Sequence, residues 1–84
     1  MKKNFIWQSN FEESQVEDIE ILISNVIEER NLVPCHLNQL DIILAITGPL
    51  DNILEGQILC TCKKVIMKFE GSSDGSKLTL EENL

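Results

Sequence analysis

Between residues 11 and 31 the apolar side chains recur at helical spacing. Val16, Ile19, Ile23, Val26 and Arg30 follow one another three or four residues apart, and Leu22 and Ile27 widen the stripe. Such a pattern makes an amphipathic helix with one face that must be buried, so the rest of the chain has to cover it. Ser9 or Asn10 is placed to cap the helix, and Glu12 and Glu13 in its first turn suit the helix dipole. Asn31 is a natural terminator, and Pro34 bars continuation.

Beyond Pro34 the pattern reads as a second helix over 35–47. Leu37, Leu40, Ile43, Leu44 and Thr47 fall at helical spacing and Gly48-Pro49 closes them. The run Ile42 to Ile46 is apolar on every side and rich in β-branched residues, so a buried strand is the competing assignment. Pro49 to Glu55, ahead of Gly56, reads as a short third helical turn. From Gln57 the period changes to two. Ile58, Cys60 and Cys62 alternate with Leu59, Thr61 and Lys63, then Val65, Met67 and Phe69 alternate with Ile66, Lys68 and Glu70 one residue out of phase, which calls for a tight turn or a bulge near Lys63-Lys64. Gly71 to Ser76 is a loop by composition, and Lys77 to Leu80 is a strand returning beside 65–70. Phe5-Ile6-Trp7 is a brief strand or a packing arm.

Helices first and strands after them predict an α+β fold. Two, or with the short turn three, helices would pack on a small antiparallel sheet formed mainly by the C-terminal third. The 84 residues make a single domain over 1–84, with an acidic helical part at 9–55 and a β-hairpin part at 57–81. A chain this short has a thin core.

Charge excludes more than it assigns. Fourteen acids against seven bases leave −7, which disfavours nucleic acid and anionic membrane as ligands. The apolar fraction of 43% is that of an ordinary folded domain, and no apolar run is long enough to cross a bilayer. The N-terminal Lys2-Lys3 is followed by only three apolar residues, short of a secretory signal. The expected compartment is the cytoplasm, where three cysteines would stay reduced.

Two groups of residues could carry function. Seven acids lie within residues 11–30 beside one base, Arg30. Of these, Glu13, Glu17 and Glu20 share a face and Glu28 extends it, an accumulated field that would speed docking of a basic protein surface. Cys35, His36, Cys60 and Cys62 are every soft ligand in the chain, and Cys-x-Cys on a strand puts both sulfurs on one face. A Cys₃His zinc site is therefore an alternative, although adjacent Cys35-His36 would have to bend sharply for both to ligate; packed small side chains are the plainer reading. No phosphate loop, nucleophile pair or shielded carboxylate pair is present in the sequence, so no catalytic residues are assigned and no enzyme is expected.

The function this supports is a small acidic, non-enzymatic protein-binding or regulatory module without a cofactor. By size and charge alone it falls in the class of inhibitors and immunity-type proteins that engage a basic surface. Self-association is the structural alternative. It would bury aliphatic surface such as Ile42 to Ile46, through isologous helices or the edge at Lys77 to Leu80.

Overall fold

The helix forms where its apolar stripe requires. In the computed structural model, which describes residues 1–9, 11, 13–34 and 38–82, α1 spans Glu13–Glu29 and buries Ile19, Ile23, Val26 and Ile27. Asn31 ends it in the left-handed region at φ 52°. The N–H of Leu32 then donates to the Ile27 carbonyl (3.1 Å) and that of Asn31 to the Glu28 carbonyl (3.2 Å), which closes the last turn as a Schellman motif. Arg30 does not join the buried stripe: it is exposed, and its Nη1 lies 3.0 Å from Oε1 of Glu82. Ser9 lies ahead of the helix, and its Oγ accepts the N–H of Ile46 at 2.8 Å. Asn10 and Glu12 lie outside the described residues.

The second and third helices are not formed, and α1 is the helix of the described residues. Gln39–Thr47 is a strand, β2, in which Leu40, Ile42, Leu44 and Ile46 are buried and the residues between them half-buried. Helical spacing and strand alternation overlap in a run that is apolar throughout. The β-branched Ile42, Ile43 and Ile46 tip the balance, because their stiff side chains pack well on a pleated surface. The supposed helical turn after Pro49 is a β-turn. Gly48 takes φ 92° and its carbonyl accepts the N–H of Asp51 at 3.2 Å, after which β3 begins at Ile53.

The sheet therefore draws on the whole chain, and the division into a helical 9–55 and a hairpin 57–81 does not hold. β1 (Lys2–Trp7), β2, β3 (Ile53–Cys60), β4 (Val65–Ser72) and β5 (Leu78–Glu82) lie side by side in chain order. β1 runs parallel to β2, while every later pair is antiparallel. A parallel pair needs a long crossover, and α1 is that crossover. The fold is α+β: one helix on a mixed five-stranded sheet.

The phase slip expected near Lys63-Lys64 is absorbed twice. Cys60 and Lys64 close a tight hairpin through the Lys63 N–H to Cys60 carbonyl and Cys60 N–H to Lys64 carbonyl bonds, each 2.9 Å, with Lys63 at φ 74°. The β3–β4 register then shifts between Ile58, opposite Met67, and Leu59, opposite Val65. Ile66 is the extra residue of the resulting bulge, and it packs against the core with Met67.

α1 covers one face of the sheet. Its buried residues meet Leu40, Ile42, Leu44 and Ile46 of β2, Leu54 and Ile58 of β3, and Met67 and Phe69 of β4. Gly56 stands on the same face, opposite Leu44 and Phe69. A Cβ there would fall against the Ile43 carbonyl oxygen and the ring of Phe69. The ring thus occupies the room that a side chain at 56 would need. Gly56→Ala is expected to lower stability by about 3 kcal/mol through overpacking, read as a lower urea midpoint at unchanged slope. A midpoint equal to wild type would show that the ring and strand can move aside.

Candidate functional site

Helix periodicity decides where each acid points. Glu13, Glu17, Asp18, Glu28 and Glu29 are exposed and Glu20 is half-buried. The four acids expected to form one docking set are divided by the fold. Glu20 Oε2 accepts the indole N–H of Trp7 at 3.1 Å, and Glu28 Oε1 pairs with Nζ of Lys3 at 3.1 Å. Both partners are on β1, so Glu20 and Glu28 line the flank of α1 that faces the edge of the sheet. The Lys3–Glu28 pair is exposed on the carboxylate side and contributes little to stability. Trp7 is further fixed by Phe11, whose ring centroid lies 4.9 Å away.

The outward line of α1 holds a residue that the sequence reading passed over. Ile21 lies opposite the buried stripe and is 53% exposed. Helical spacing puts Glu17 and Asp18 one turn before it and Asn25 one turn after, with Glu28 a further turn on. The signal was available: Ile21 is the aliphatic residue out of phase with the stripe of Ile19, Ile23 and Val26. The result is one apolar side chain within an acidic rim.

A second feature depends on β2 being a strand. The sheet face turned away from α1 carries a shallow groove of about 740 Å³. Ile43, Ala45 and Ile53 line it together with Glu55, Lys68 and Glu70. At one end of this face Asp41 accepts hydrogen bonds from the side-chain amides of Gln39 (3.0 Å) and Asn4 (3.2 Å). The Gln39 bond, then the Asn4 bond, hold its carboxyl below the usual range; burial opposes them, and Lys63 and Lys2 add lesser lowering effects. A carboxyl with a depressed folded value stabilises the fold fully above its unfolded value, near pH 4, and loses that contribution as pH falls through the folded value. Asp41→Asn is therefore expected to flatten the acid limb of the stability profile below about pH 4. Superimposable limbs would mean that these hydrogen bonds persist in the unfolded chain or do not form.

Of the four soft ligands, the two that are described, Cys60 and Cys62, differ in state. Cys60 is buried and disulfide-bonded, which corrects the expectation of three reduced thiols. Cys62 is an exposed thiol in the β3–β4 turn. Cys35 and His36 lie outside the described residues. A disulfide sulfur is not a thiolate ligand, so zinc held by Cys35, His36, Cys60 and Cys62 would require the reduced chain. Among the described residues, no three His, Cys, Asp or Glu side chains form a metal-holding group. Cys60→Ser is expected to cost about 2–4 kcal/mol, and Cys62→Ser within about 0.5 kcal/mol as a surface change. Equal, severe losses from both variants would instead point to shared ligation, and elemental analysis for zinc would settle which.

No family model matches this chain, and neither a curated protein nor a solved structure does. No helix among the described residues is long and apolar enough to cross a membrane.

Proposed function

We propose that this chain is a non-enzymatic protein-binding module, of the inhibitor or immunity type, that engages a basic protein surface through the outer face of α1. The observation that carries this reading is Ile21, exposed on the outward line of α1 with the exposed Glu17 and Asp18 one turn before it. An apolar anchor inside a charged rim is the anatomy of an interface centre. Glu13 and Glu17 carry the long-range field in this reading, while Glu20 and Glu28 shape its flank through Trp7 and Lys3. The charge of −7 supports a protein rather than a nucleic acid or an anionic membrane as partner.

The test places a photo-crosslinking residue at Ser14 or Asn25, both beside Ile21 on the outer face, in extracts of the native host. The expected product is a crosslink to a lysine- or arginine-rich peptide. Ile21→Ser combined with Glu13→Lys and Glu17→Lys should abolish it while leaving the circular dichroism spectrum intact. Crosslinks to neutral or acidic peptides, or crosslinks indifferent to the triple variant, would remove the reading. The disulfide at Cys60 fits an oxidising compartment better than the cytoplasm that the sequence suggested. Alkylation at lysis of the native host decides between them: a disulfide keeps the oxidising placement, and a trapped thiol returns the cytoplasm.

A further inference from the structure

The sheet ends at β5, and among the described residues no strand lies beyond it. An edge strand leaves the N–H and C=O of every second residue pointing outward. One bond fixes which residues these are. The Ser72 N–H donates to the Lys77 carbonyl at 2.9 Å, so the main-chain groups of Lys77 face β4. Alternation then turns those of Thr79 and Glu81 toward β4 as well, and those of Leu78, Leu80 and Glu82 outward. The side chains divide with the same period. Leu78 and Leu80 pack against the core on the α1 side, while Lys77, Thr79 and Glu81 stand exposed on the opposite side.

We infer that the outer edge of β5 pairs with β5 of a second copy of this chain, antiparallel and centred on Thr79. Two such edges bond where outward residues meet outward residues, which places the two-fold axis on a residue and not between two. The Thr79 centre is complementary throughout. It sets Leu78 against Leu80 of the second copy on the core side. On the other side it sets Thr79 against its own counterpart and Lys77 against Glu81 of the second copy, and symmetry repeats each unlike pair. A centre on Leu78 would set Leu80 against Ser76, one on Leu80 would set Leu78 against Glu82, and one on Glu81 would set that carboxylate against itself. Within one chain Ser72 stands across from Lys77, and Lys68 stands opposite Glu81. Pairing gives Lys77 a carboxylate and places each Glu81 between two lysines. Edge cations discourage indiscriminate pairing, and β1 shows the contrast: it carries Lys2 and Lys3 and no acid, so a second β1 offers its lysines nothing. The outward line of α1 takes no part in this contact.

Sedimentation of the whole chain over a concentration series tests the pairing. The expected result is a monomer–dimer equilibrium, with concentration-dependent amide shifts centred on Leu78–Glu82. Lys77→Glu and Glu81→Lys should each weaken the dimer about tenfold, because both Lys–Glu pairs become repulsive. Mixing the two variants should restore it, since each supplies the charge that the other lacks. A crosslink tests the register without altering a charge. In a Cys62→Ser background, Thr79→Cys should join two chains under mild oxidation, whereas Glu81→Cys should not join to itself. A monomer at every concentration, a dimer indifferent to the charge variants, or variants that stay apart when mixed would overturn the inference. So would crosslinks forming at 81 as readily as at 79, or shifts centred on Ile43, Ala45 and Ile53 or on α1, which would put the contact on another surface.

Discussion

The contact between α1 and β2 organises everything else. Ile23 and Ile27 of the helix and Leu40, Ile42 and Leu44 of the strand are almost wholly removed from solvent. Each such side chain is worth about 1.5–3 kcal/mol on burial. β2 is also the strand that joins the two kinds of pairing, parallel to β1 and antiparallel to β3. Without the helical crossover, β1 could not reach its place beside β2. Without β2, the later hairpins would have no strand on which to start. The seam therefore sets the position of both edges and of the face left bare.

That dependence explains which parts were legible from residues alone. The helix was readable because its stripe alternates with charged residues, which leaves one phase. The hairpin from Ile58 to Phe69 was readable at period two, and its phase slip at Lys63-Lys64 located the turn, with the bulge displaced to Ile66. Over 39–47 the two periods cannot be told apart, since polar residues that would mark a solvent face are nearly absent between Asp41 and Thr47. Such a run belongs to a strand with structure on both sides in the sheet, and its β-branched side chains together with its neighbours β1 and β3 decide it. Pro49 was ambiguous for a related reason. It suits the first position of a helix and the second position of a turn equally, and Gly48 at φ 92° makes it a turn.

The candidate surfaces follow the same logic. The acids of residues 11–30 were visible as a cluster, yet their division was not, because Trp7 and Lys3 reach Glu20 and Glu28 only once β1 lies beside the helix. Ile21 needed no structure to be noticed, only attention to the residue out of phase with the stripe. The groove was invisible while 35–47 stood as a helix. The opposition of Glu55 to Glu70 is a matter of register, which no spacing along the chain encodes.

A thin, one-sided fold with an excess of acids pays for that excess in self-repulsion. The acids could have been dispersed, yet they are set where local compensation is weakest. Glu13 and Glu17 project from the outer helix line, and Glu55 and Glu70 face each other across two strands. Two of the basic residues are placed at the periphery. Lys3 and Arg30 hold Glu28 and Glu82 at the sheet edges, where cations also discourage edge-to-edge pairing. On the sheet face the signs are mixed, with Lys68 and Lys77 beside Glu55, Glu70 and Glu81, and charge mixed in this way neutralises itself within a Debye length. Within α1 no basic residue occurs from Glu13 to Glu29, so along the outer helix line the acids keep one sign.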